Sequence, residues 1–133
     1  MCSGYVKTDK YPTLHVGDIV LCVYSNFNNE KEVGLFAVIY DNSLDENTPH
    51  KDNFMGCKIT SQNQWQYPYY VNVHKGDGNL DCDSKIACSL LHMLHKKSML
   101  RIIGHLSKQK IQEMRKKLQK FEKDVDKMFE EVV

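Results

Sequence analysis

The sequence predicts an α+β domain: a small antiparallel β-barrel followed by one long C-terminal helix. Two observations predict this architecture. Between Val16 and Ile103, short runs rich in β-branched and aromatic residues alternate with turn chemistry. After Ser107 the apolar period changes to that of a helix, and neither Gly nor Pro interrupts the chain to Val133. The length of 133 residues suits one domain rather than two. We divide it into an N-terminal arm (residues 1–15), a barrel (16–106) and a helix (107–133).

The elements follow in order. Residues 1–15 are polar overall. Asp18–Tyr24 opens after Gly17 and reads as a first strand. Ser25–Glu32 is a polar loop. Leu35–Tyr40 is apolar almost throughout, so it is expected to be buried on both faces. Asp41–Asn53 is a second loop, with Thr48-Pro49 favouring an extended turn. Phe54–Ser61 is a third strand and Trp65–Val73, which carries Tyr67, Tyr69 and Tyr70, a fourth. Lys75-Gly76-Asp77-Gly78-Asn79 is a turn of hairpin type, and without a strand–helix context it is no phosphate loop. Lys85–Leu91 is a fifth strand, and Leu100–Ile103 a short closing element.

Ser107 is an N-cap residue type. Ile111, Met114, Leu118, Phe121, Val125, Met128 and Val132 then fall on one helical face. A helix of about 25 residues would be roughly 37 Å long. That exceeds what a barrel of this size covers comfortably, so the stripe either meets another chain or packs on its own domain. The opposite face mixes Lys and Arg with Asp and Glu, the pattern of a solvated surface rather than an RNA-binding stripe.

Composition narrows the classes. Apolar residues at 41% and charged residues at 26% match a globular chain, not a disordered one. The 18 basic residues nearly cancel the 17 acidic ones, so only local charge can point to a nucleic acid. No window approaches the roughly 20 apolar residues of a membrane span, and the N-terminus lacks the pattern of a secretory signal. A cytoplasmic protein is therefore expected. The five cysteines contain no CxxC and suggest reduced thiols, with Cys22 and Cys57 as small core residues. Cys82, Cys88, His92 and His95 match no familiar zinc spacing.

Four stretches occur in order: His15-Val16-Gly17-Asp18-Ile19-Val20, then Leu35-Phe36-Ala37-Val38-Ile39, then Cys57-Lys58-Ile59-Thr60-Ser61. The fourth is Asp83-Ser84-Lys85-Ile86 leading to Arg101-Ile102-Ile103-Gly104-His105-Leu106-Ser107. Over about Val16 to Leu118 this chain resembles the PemK/MazF-like toxins of type II toxin–antitoxin systems. The resemblance implies an SH3-like barrel of the PemK/MazF/CcdB type and a homodimer with single-stranded RNA in a shared groove. It also implies an antitoxin protein that occupies this groove when the toxin is silenced. The implied reaction is sequence-specific, ribosome-independent RNA cleavage with no metal or other cofactor, in which the ribose 2′-OH attacks the adjacent phosphate. Such chemistry requires a base, an acid and fixed donors at the developing phosphorane.

The sequence departs from the family pattern at the start of the second strand. The family's catalytic Arg precedes a Pro at the start of the second strand; Gly34 and Leu35 stand there. The candidate catalytic residues are Thr60, which matches the family's Thr, with Lys58, Lys31 and His92. Lys58 shares a strand face with Thr60 because side chains alternate with a period of two. Lys31 is the only cation in the preceding loop, and His92 lies near the family's Arg in the fifth-strand segment. Lysine neutralises a phosphate but lacks the bidentate fork of arginine. The RNA-binding candidates are Ser61, Trp65 and Lys85, since an exposed aromatic stacks an unpaired base. For each, an ordinary surface or packing role is the competing reading. The alternative at the level of function is a catalytically impaired family member that binds nucleic acid or protein.

Overall fold

The computed structural model describes residues 11–61 and 68–132. It contains six strands and one long helix: β1 (Asp18–Ser25), β2 (Lys31–Asp41), β3 (Asn53–Thr60), β4 (Tyr70–Val73), β5 (Ser84–His95), β6 (Met99–His105) and α1 (Lys108–Glu130). The strands form one antiparallel sheet in the order β4-β5-β3-β2-β1-β6. The sheet is barrel-like but not closed: β4 and β6 stand at its two ends.

Alternation along the strands separates two apolar groups. Ile19, Ala37, Cys57, Ile59, Ile86 and Cys88 form one with Met114 of α1. Val20, Cys22, Phe36, Val38, Phe54 and Leu94 form the other with Leu14. Cys22 and Cys57 are indeed fully buried core residues. Phe36 and Phe54 are also without exposure, and burying each is worth about 1.5–3 kcal/mol.

β2 begins four residues before the expected strand. Asn26 is the reason: its Oδ1 accepts from the amides of Asn28 and Glu30, and its own amide donates to the Glu30 carbonyl. The hairpin turn is thereby confined to residues 26–30, and Lys31 and Glu32 pair with Ser25 and Tyr24. β5 runs on to His95 and β6 from Met99, longer than their apolar cores suggested, because each has a neighbour to pair with over that length. Of the expected fourth strand, Tyr70–Val73 is β4, whereas Trp65 and Tyr67 lie outside the described residues.

Two features tie down the ends of the sheet. Leu14 is buried, and its amide donates to Asp41 Oδ2 at 2.8 Å. The same oxygen accepts from the buried Lys96 Nζ at 2.8 Å, and Lys96 also reaches the Pro12 carbonyl at 2.9 Å. The polar N-terminal arm is thus anchored from Pro12 onward. Gly17 adopts φ 95°, and a Cβ there would run into Ile111 of α1. The Gly17-Asp18 pair therefore admits the helix and, through Asp18 Oδ1, holds His105 Nδ1 at 2.8 Å.

Ser107 caps α1, its Oγ accepting from the Lys110 amide. The helix of 23 residues is about 34 Å long. Ile111, Met114 and Leu118 pack on the sheet, and Phe121 meets Tyr69 at 5.1 Å. Farther along, Met128 is 64% exposed and Val132 85%. The two expectations for the stripe thus divide along the helix: its first half packs on its own domain and its last turn does not. Among the described residues, no helix is long and apolar enough to cross a membrane.

Candidate active site

The site is built on one face of the sheet, around the ends of β1, β2 and β3. Phe36 pairs with Val20 on one side and Lys58 on the other, so these side chains share a face. Lys58 is opposite Ala87, which is opposite Tyr70. Thr60 is opposite Lys85, which is opposite Asn72. Continuing the Leu35–Ile59 register by one step sets Gly34 beside Thr60. Tyr24 and Glu32 are register partners two residues farther along β1 and β2, on the same face.

Gly34 is where the side chains converge. A Cβ built on it would lie 2.7 Å from Tyr24 Cε1 and 3.1 Å from Lys58 Nζ. The ammonium of Lys58 thus stands over the residue that carries Arg in the family pattern. It donates to the Ile59 carbonyl at 2.9 Å and lies 5.4 Å from the Tyr24 ring centroid and 5.6 Å from that of Phe36. Desolvation lowers the pKa of Lys58 from the usual amine value, and the Glu32 carboxylate opposes that shift.

Tyr24 is wedged edge-on against Phe36 at 5.3 Å and His92 at 5.7 Å. Its hydroxyl donates to Glu32 Oε2 at 2.8 Å, while Asn26 Nδ2 donates to Oε1 at 3.0 Å. The Tyr24 hydrogen bond, then that of Asn26, holds Glu32 below the ordinary carboxylate range, with a smaller contribution from Lys58. His92 also meets Phe36 at 5.1 Å, and its Nδ1 lies 3.4 Å from the Leu90 carbonyl oxygen. Lys85 lies over the Tyr70 ring at 4.5 Å, beside Thr60. Thr60 is half-buried, and Ser61 is exposed just past the end of β3.

The structure therefore brings together Thr60, Lys58, Lys85 and His92 of the candidates read from the sequence. It does not bring in Lys31. That residue is the exposed first residue of β2, and strand alternation turns it to the face opposite Glu32 and Gly34. Trp65 lies outside the described residues. Of the neighbouring aromatics, Tyr69 serves packing: its ring meets Phe121 and its hydroxyl donates to Asp124 at 2.7 Å. Tyr24 and Glu32 escaped the sequence reading. Glu32 falls within a stretch whose turn composition hides its strand geometry, and only the pairing with Tyr24 reveals it. Among the described residues no group of three or more His, Cys, Asp or Glu is placed to hold a metal ion.

This arrangement offers a cation, a hydroxyl and a carboxylate–phenol pair on one surface. Together these can bind a phosphodiester and move protons around it.

Comparison with known proteins agrees with the motif order. A family model, the PemK-like, MazF-like toxin of type II toxin–antitoxin systems, matches residues 15–121. No curated protein sequence matches. Among solved structures, the chain is similar to a MazE–MazF crystal structure (Form-II) from Deinococcus radiodurans. That likeness has 16% identity and a TM-score of 0.63, covering 85% of this chain and 96% of the other. It is also similar to an endoribonuclease from a mycobacterial species, at 11% identity and a TM-score of 0.60 over 83% and 91% of the two chains. A mycobacterial endoribonuclease in complex with its cognate antitoxin gives 11% identity and 0.59 over 80% and 91%. At such identities the likeness establishes the fold, and the family-model match over most of the sequence establishes membership. The chain belongs to the PemK-like, MazF-like toxins of type II toxin–antitoxin systems.

Proposed function

We propose that this protein is an endoribonuclease toxin that cleaves single-stranded RNA at specific sequences, without the ribosome and without a metal. The observation that carries this reading is the position of Lys58, whose ammonium stands over Gly34 on the face that bears Thr60. The cation that the family pattern draws from β2 comes here from β3. Thr60 and Lys58 contact the scissile phosphate, and Lys85 holds the strand beside it. The ribose 2′-OH attacks phosphorus, the bond to O5′ breaks, and the products are a 2′,3′-cyclic phosphate and a free 5′-hydroxyl. Charge held in place before the reaction stabilises the phosphorane without reorganisation.

In this reading the toxin acts in the cytoplasm as a homodimer and is neutralised by an antitoxin protein. The mycobacterial complex of an endoribonuclease with its cognate antitoxin and the MazE–MazF structure support that assembly. A second reading, a non-catalytic module that binds nucleic acid or protein, is favoured by Gly34 itself, since a lysine is no like-for-like replacement for arginine.

The test is incubation of the purified protein with a long single-stranded RNA in EDTA, followed by end-group analysis. Discrete fragments ending in 2′,3′-cyclic phosphate are expected. RNA binding at micromolar concentration with no cleavage would favour the second reading. Growth arrest on induced expression, relieved by a co-expressed antitoxin, is the companion expectation.

A further inference from the structure

The face that bears Thr60 continues outward across two more strands. Asn72, Lys85 and Thr60 are successive partners in the register of β4, β5 and β3. At the usual spacing of strands, Asn72 stands about 10 Å from Thr60. Just past the paired residues are His74 and Asp83, with Nδ1 and Oδ1 3.9 Å apart. Asn72, His74, Asp83 and Lys85 line a cleft of about 210 Å³. We propose that this cleft is the specificity pocket of the nuclease and takes one unpaired guanine adjoining the scissile phosphate. The inference rests on the ribonuclease reading and names the base behind its sequence preference.

The chemistry of the cleft selects the base. Asp83 and Lys85 are two residues apart, so they share a face at a spacing of about 7 Å. A carboxylate only accepts hydrogen bonds and an ammonium only donates them. Guanine presents adjacent N–H donors at N1 and N2, and beside them the acceptors O6 and N7. The other three bases lack such a pair of neighbouring donor groups. Asp83 accepts from N1–H and N2–H, and Lys85 donates to O6 and N7. Lys85 thus holds the strand through its base. The His74 ring and the Asn72 amide form the rim, and a ring there is a surface on which a base stacks.

The cleft is built before RNA arrives. The Lys75 amide donates to Asp83 Oδ1 at 2.8 Å, and the His74 amide donates to Asp77 Oδ2 at 2.8 Å. The Tyr70 ring sits 4.5 Å from the Lys85 ammonium. β4 is a short edge strand, yet α1 fixes it: Lys110 Nζ donates to the Asn72 carbonyl at 2.8 Å, and Tyr69 is held by Phe121 and Asp124. Orientation fixed in advance reduces the entropy lost when the base binds.

The test maps cut sites on a random-sequence single-stranded RNA. The unaltered protein is expected to require guanine at one fixed position beside the scissile bond. Inosine there lacks the N2 amino group and 7-deazaguanine lacks N7. Each should lower kcat/KM by about 5–150-fold. Asp83→Asn keeps an oxygen for the Lys75 amide but exchanges an acceptor for a donor. It should cut the guanine substrate more slowly and treat guanine and inosine alike. Lys85→Met should lose the distinction between guanine and 7-deazaguanine. Cut sites with no fixed guanine, or guanine selection undiminished in both variants, overturn the pocket while the ribonuclease reading stands. Should the unaltered protein cleave nothing, that reading fails, and the pocket is tested by fluorescence anisotropy with a single-stranded RNA oligomer. Tighter binding of the guanine oligomer than of its inosine counterpart, lost in Asp83→Asn, supports the pocket; equal binding overturns it.

Discussion

The ammonium of Lys58 lies over Gly34, 3.1 Å from where a Cβ on that residue would sit. The two residues belong to adjacent strands, and their closeness follows from the register that pairs Phe36 with Lys58. Glycine at 34 leaves room for the Lys58 head and the Tyr24 ring together. Its presence is explained by what occupies the space, not by loss of an unneeded side chain.

Restoring the family's arginine is therefore expected to harm this protein. In Gly34→Arg the new Cβ meets Tyr24 and Lys58 at once, and overpacking of this kind costs about 1–3 kcal/mol. RNA cleavage should fall rather than rise, and thermal denaturation should show the loss of stability. A Gly34→Arg variant that cleaves faster than the parent would show that Lys58 is no substitute.

Lys58→Met keeps the aliphatic stem against Tyr24 and Phe36 but removes the charge. Cleavage should drop on the order of 10²–10³-fold, the usual effect of deleting one donor to a transition-state oxyanion. Desolvation already disfavours the charged amine, so stability should be unchanged or slightly raised. Paired kinetics and thermal melts separate the two effects.

The pair Asp41–Lys96 holds the fold rather than the site. Its side chains are 3% or less exposed and meet at 2.8 Å. Lys96→Met leaves an unpaired buried carboxylate and should cost about 3–5 kcal/mol in denaturant unfolding.

The pH dependence of stability has a definite sign at the same residue. Burial pushes the Asp41 carboxyl up, but Lys96 and the hydrogen bonds from Leu14 and Ser43 outweigh it and hold the pKa below the ordinary value. A depressed carboxyl contributes its stability in full above the unfolded value, about 3.9, and loses it as pH falls through the folded value. Tm should thus fall as pH drops from about 4, and less so in Lys96→Met.

The fold was legible in the sequence where local pattern decides it. Ser107 and the apolar stripe from Ile111 located α1, and the apolar run Leu35–Tyr40 located the centre of β2. Thr60, Lys58 and Lys85 could be singled out because alternation and motif order act along one strand at a time. The rest depends on cross-strand register. Tyr24 and Glu32 meet only through the β1–β2 pairing, and Asn26 disguises the start of β2 as loop. Asp41 and Lys96 are 55 residues apart, and neither residue type announces burial. Lys31 looked suitable by nearness in sequence, but a period of two sends it to the other face.

The most direct measurement compares the unaltered protein with Thr60→Ala on one single-stranded RNA in EDTA, with the new 3′ ends identified chemically. The proposed site predicts discrete fragments with 2′,3′-cyclic phosphate from the former and a loss on the order of 10²–10³-fold in the latter. Equal cleavage by both proteins, or none by either while the RNA remains bound, would contradict it.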